Sequence, residues 1–123
     1  MIRGRIGSAG PVIRGSVLRD GDLRLGNKGV RDFVVDTGFT GACCIPEAWV
    51  GKLRLRFAAY EEYELAVGHT ALLPVYVGWI RIGRRRTEAR MIPGDCLIGL
   101  GLLQINFNRM HLDFRRKTIV MDP

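Results

Sequence analysis

The chain has 123 residues, 47% hydrophobic and 25% charged, enough for one domain with a modest core and too few for two. A formal net charge of +7 permits contact with a polyanion without specifying one, and no run of about 18 apolar residues is present to span a bilayer. The stretch Met1–Gly7 carries arginines but no continuous apolar segment of the secretory kind, so the expectation is a cytoplasmic protein without membrane contact.

In chain order, two short strands are predicted around Met1–Ile6 and Val12–Leu18, separated by a Gly- and Pro-containing turn. From Arg19 to Gly29 the residues read as a polar hairpin or loop. Val30–Asp36 is the next strand, Ala42–Ile45 a short one after it, and Pro46–Val50 starts a helix, with proline at the first turn and Glu47 near the positive end of the dipole. Tyr60–Val67 and Ala71–Val77 flank a hairpin tip at Gly68-His69-Thr70. Trp79–Ile82 and Thr87–Ile92 make a second hairpin across Gly83-Arg84-Arg85-Arg86. Cys96-Leu97-Ile98 is a short apolar strand ending at Gly99, Leu100–Ile105 one or two helical turns, and Arg109–Phe114 with Thr118–Met121 a last hairpin. Short strands with turn signals about every ten residues predict a single all-β domain over 1–123, a closed or orthogonal barrel with one or two short helices.

Several chemistries lack their residues. The only serines are Ser8 and Ser16, neither within Gly-x-Ser-x-Gly, and the only histidines are His69 and His111. Cys43, Cys44 and Cys96 have neither disulfide nor zinc spacing and read as small buried hydrophobes. No metal or other cofactor is expected, and no phosphate-binding glycine loop precedes a helix. Arg84–Arg86 and Arg115-Arg116-Lys117 fall between β-like runs, where charge usually decorates a solvated turn, so nucleic acid is not the expected partner.

One motif stands apart. Phe33-Val34-Val35 runs into Asp36-Thr37-Gly38, followed by Phe39-Thr40-Gly41, so a carboxylate is held at the end of an apolar strand. Burial disfavours a charge unless donors compensate, which makes this an expensive place for an ordinary turn aspartate. The triplet alone is a weak signal, expected by chance in roughly one such sequence in thirty. Its context is more specific: about 60 residues later come Leu97-Ile98-Gly99 and a short helix beginning Leu100-Gly101-Leu102-Leu103, with the Gly68 hairpin between them. In this order the residues resemble the retropepsin-like aspartic proteases, small bacterial members included, over about Val30 to Met121.

The resemblance implies a closed acid-protease barrel with a flap hairpin, assembled as a C2 homodimer that hydrolyses a peptide or protein substrate. Carboxylate-only hydrolysis takes two carboxylates, and the chain has one such motif, so the second is supplied by another copy. Asp36 of both subunits would share a proton and activate a water. Thr37 would brace the pair, Gly38 would let the backbone approach it, and Gly99 would pass close behind the loop. Phe39, Thr40, Gly41, Gly68, His69 and Ile98 are the expected substrate contacts. Two positions depart from the family pattern: Phe39 stands where Ala or Ser is frequent, and Leu100 where the viral enzymes carry arginine. The longer tail past Asp113 also leaves open whether the termini intertwine at the interface. The alternative is a catalytically silent binding or assembly module of the same fold that contacts an acidic partner or nucleic acid through its arginine clusters.

Overall fold

The structure is a computed structural model that describes residues 1–19 and 30–123. All but the first residue of the polar segment expected over 19–29 lies outside the described residues.

The described residues are mostly β-sheet with two short helices. The strands are β1 (Ile2–Gly7), β2 (Gly10–Leu18), β3 (Val30–Asp36), β4 (Cys43–Ile45), β5 (Arg56–Ala66), β6 (His69–Ile82), β7 (Arg85–Pro93), β8 (Leu97–Gly99), β9 (Arg109–Asp113) and β10 (Thr118–Asp122). Helix α1 (Glu47–Leu53) follows β4, and helix α2 (Leu100–Asn106) follows β8. The strand order is β5-β6-β7-β4-β8-β3-β2-β1-β10-β9, with β2 paired to β6 as well. Strand β2 changes partner along its length: Gly10–Val12 meets β1, Val12–Ser16 meets β3, and Ser16–Leu18 meets β6.

The core follows from alternation. Ile13, Val17, Phe33, Val35, Ile45, Ile80, Met91, Ile98, Ile119 and Met121 point inward from their strands, and Leu102 and Leu103 come from α2. Trp49 of α1 packs edge-on against Phe33 with ring centroids 6.3 Å apart, and the Arg31 guanidinium lies 5.6 Å above the indole. A smaller cluster of Cys44, Val75 and Ile92 takes in Phe39, Tyr63, Leu73 and Leu97. It ties the β5–β6 hairpin to the segment after β3.

Two expectations need correction. The strands expected at Ala71–Val77 and Trp79–Ile82 are one 14-residue strand, because Gly78 continues the ladder opposite Ala89 and does not break it. The turn before it is Val67-Gly68, with Gly68 at φ +77°, so His69 and Thr70 belong to β6. Along this hairpin Phe57 and Tyr60 near its base, and Val67 and Leu72 toward its tip, remain exposed.

Among the described residues no helix is long and apolar enough to cross a membrane.

Candidate active site

Asp36 is the last residue of β3, half-buried, with its Cα opposite that of Gly99 in the parallel β3–β8 ladder. The chain then turns sharply: the Gly38 N–H donates to Asp36 Oδ1 at 2.9 Å, and the Phe39 N–H donates to the Asp36 carbonyl at 3.2 Å. A backbone donor aimed at the carboxylate replaces one of its hydrogen bonds to water and fixes its orientation. Thr37 and Gly38 themselves are exposed.

The loop 37–42 is fastened from behind. The Gly99 N–H donates to the Ala42 carbonyl at 3.0 Å, Leu100 N–H to Phe39 at 2.8 Å, and Gly101 N–H to Gly41 at 3.2 Å. Strand β8 lies between β3 and β4, parallel to one and antiparallel to the other, so the loop joining β3 to β4 arches over the start of α2. This approach requires glycine at 99: a Cβ there would stand 2.2 Å from the Gly41 carbonyl oxygen and 2.6 Å from that of Phe39. The sequence reading of Gly99 as the point of close passage behind the loop matches this contact.

In front of the loop lies an open cleft of about 500 Å³. Asp36, Gly38, Phe39 and Thr40 form one side, and Tyr63, Glu64, Val67 and Leu73 of the hairpin overhang it. The 93–97 segment closes a third side through Pro93, Gly94, Asp95 and Leu97, with Cys44 and Ile92 below. Phe39 and Tyr63 face each other at 6.2 Å between ring centroids, so the hairpin is held to the Asp36 loop by aromatic contact.

The expected site residues are therefore only partly gathered. Asp36, Gly38, Phe39 and Thr40 line the cleft. Gly41 sits under the Phe39 ring, and Gly68 and His69 are exposed at and beside the hairpin tip, where Val67 is the residue lining the cleft. Ile98 is completely buried and takes no part in the wall; Leu97 does, since successive residues of a strand face opposite sides and Ile98 is the one committed to the core. Thr37 opens onto a different, shallower groove of about 200 Å³, with Leu100, Leu103, Gln104 and Met110. Tyr63, Glu64, Leu73 and Asp95 were not singled out in the sequence. The position of Asp95 two residues before Leu97 was the available signal for it, whereas the hairpin residues depend on the register of β5 against β6.

The thiols are chemically quiet. Burial, together with the Asp36 and Asp95 charges, pushes Cys44 up to about 11 from 9.0. Burial pushes Cys43 well above its ordinary range and raises Cys96. Such groups stay protonated near neutrality and make poor nucleophiles. His111 lies on β9, 3.7 Å from the Asp122 carboxylate, and His69 is in the hairpin, so neither forms a cysteine–histidine pair with them. Among the described residues no group of three or more His, Cys, Asp or Glu could hold a metal ion.

The chain matches no family model, and it matches no curated protein.

Proposed function

We propose that this protein is an aspartic endopeptidase of the retropepsin-like group, working as a C2 homodimer in which each subunit contributes Asp36 to one shared site. The observation that carries the reading is the setting of Asp36: a half-buried carboxylate held by the Gly38 N–H, on a loop pinned to Gly99–Gly101, beneath an overhanging hairpin. The successive pairings β6-β7-β4-β8-β3-β2, with β2 returning to β6, support a closed barrel with this loop at one end.

In the dimer one Asp36 carboxylate is ionised and its partner protonated, because two such close groups do not both ionise readily. The ionised group takes a proton from a water whose oxygen adds to the scissile carbonyl carbon. The other gives its proton to the carbonyl oxygen, and collapse of the tetrahedral diol delivers a proton to the leaving nitrogen as the C–N bond breaks. The β5–β6 hairpin is the flap, which excludes water and offers backbone groups to an extended peptide.

The second subunit has a fitting face. Strand β9 is an edge that pairs only with β10 among the described residues, and all five of its residues are exposed. Met110 and Leu112 lie on it, Phe114 follows it, and Met110 shares a groove with Thr37, one residue from Asp36. Because β10 is already paired to β1, the C-terminal hairpin belongs to its own subunit's sheet, so β9 offers an edge for a partner without exchange of the termini.

Peptide hydrolysis by the purified chain, measured from acidic to neutral pH, tests this. Asp36→Asn is expected to lower kcat by about a thousandfold or more. Unchanged hydrolysis by the variant contradicts the proposal. The exposed Arg84, Arg115, Arg116 and Lys117 support the second reading, a binding module; steeply salt-dependent polyanion binding without proteolysis would favour it.

A further inference from the structure

The cleft has a charge opposite to that of the chain. The protein carries 19 Lys and Arg against 12 Asp and Glu, yet the residues lining the cleft include three carboxylates, Asp36, Glu64 and Asp95, and no Lys, Arg or His among those described. Glu64 comes from the overhanging hairpin and Asp95 from the loop between β7 and β8, so the two lie on different walls. Neither forms an ion pair or a side-chain hydrogen bond with a described residue. Glu61, three residues earlier on the same strand, is by contrast held by Arg90 at 2.5 Å and accepts a hydrogen bond from the Tyr63 hydroxyl. Between the carboxylates the walls are apolar, formed by Phe39, Leu73, Ile92 and Leu97.

We propose that the cleft selects a Lys or Arg side chain of the peptide substrate, with Asp95 and Glu64 as the specificity-determining residues. This rests on the cleft being the peptide-binding site, and it names the substrate class of that site. A long cationic side chain fits both parts of the surface. Its methylene stem lies along the apolar walls, and its charged head reaches carboxylates that pair with no cation among the described residues. An acidic side chain in the same place meets like charges and is disfavoured, so the same carboxylates that attract a cationic head discriminate against an anionic one. The walls also distinguish a peptide from a small inorganic cation, which would leave the apolar surface uncovered.

The test uses the purified full chain and a set of peptides identical except at one position, carrying Lys, Arg, norleucine or Glu there, with that position moved through the residues flanking the scissile bond. Norleucine keeps the stem of lysine and removes the charge. At one position kcat/KM for Lys or Arg is expected to exceed that for norleucine by about tenfold, with Glu lowest. In the Asp95→Asn, Glu64→Gln double variant the Lys-to-norleucine ratio is expected to fall toward one. Asp95→Lys should turn the preference toward Glu, a gain that loss of folding cannot imitate. The same peptides with a reduced, uncleavable amide are titrated by fluorescence polarisation in parallel. Tighter binding of the Lys peptide, abolished in the double variant, supports the selection even if no peptide is cleaved, in which case the protease reading alone fails. Cleavage without a cationic preference at any position, or a preference that survives the double variant, overturns the proposal and leaves the protease reading standing.

Discussion

Gly99 lies across the parallel ladder from Asp36, and its missing side chain is what allows the Phe39–Gly41 backbone to rest against it. The carboxylate is thus positioned from the far side of a backbone contact. Gly99→Ala forces a Cβ into the Gly41 carbonyl, and neither backbone can yield without breaking the 99–42 and 100–39 hydrogen bonds. A loss of about 3 kcal/mol in urea unfolding is expected, with activity lost in the fraction that still folds. Wild-type stability in the variant would show that the loop is not seated as described.

Asn106, at the end of α2, is a buried polar side chain whose amide nitrogen and oxygen each have a partner. Its Nδ2 donates to the Leu102 carbonyl at 3.1 Å, and its Oδ1 accepts from the Thr87 hydroxyl at 2.9 Å. The helix that follows Gly99 is fixed to β7 in this way. Asn106→Ala leaves the Thr87 hydroxyl without this acceptor and should cost about 2 kcal/mol, read as a lower thermal midpoint. A shift within error would mean that water replaces the contact freely.

The thiols predict an alkaline limb of stability. Cys44 has a folded-state value of about 11 against an ordinary 9.0, raised first by burial and then by the charges of Asp36 and Asp95. Below the unfolded value both states hold the proton and the contribution to stability is fully present. As pH rises from the unfolded value through the folded one, the unfolded chain releases the proton first, and stability is lost. Cys43, Cys96 and Tyr63 are shifted in the same direction, each chiefly by burial. Urea unfolding in reductant should therefore show a fall between about pH 9 and pH 11 that is shallower in Cys44→Ala. An equal slope in the variant would remove Cys44 from the cause.

Met110 on the edge strand offers a test of the proposed interface that leaves the cleft untouched. Met110→Glu places a charge in the groove beside Thr37 without entering the core, since Met110 is exposed in the single chain. The dimer dissociation constant, from sedimentation equilibrium, should rise at least about tenfold, with activity becoming concentration-dependent in step. Unaltered association would move the interface elsewhere.

Much of the fold could be read from local pattern. Val30–Asp36 appears with the boundaries that Val-rich alternation and the following glycines suggest, and α1 and α2 begin where Pro46 and Gly99 end the preceding strands. What local pattern did not carry was partner choice. Gly78 reads as a break but lies inside a long ladder, and Ile98 and Leu97 are equally apolar while their orientation depends on whether β8 sits between β3 and β4. The acidic wall was hidden for the same reason. Glu64 and Asp95 are 31 positions apart and share a cleft only through the fold of the β5–β6 hairpin over the 93–97 loop.

A subunit-mixing titration asks whether one site needs Asp36 from two chains. Wild-type chain is equilibrated with increasing Asp36→Asn chain at a total concentration well above the dimer dissociation constant, and peptide hydrolysis is followed per wild-type chain. A site shared by two Asp36 residues predicts that mixed dimers are inactive, so that activity per wild-type chain falls to about half at equal mixing and continues downward with excess variant. Activity per wild-type chain that stays constant as the variant is added would mean that each chain works alone, and would contradict the account.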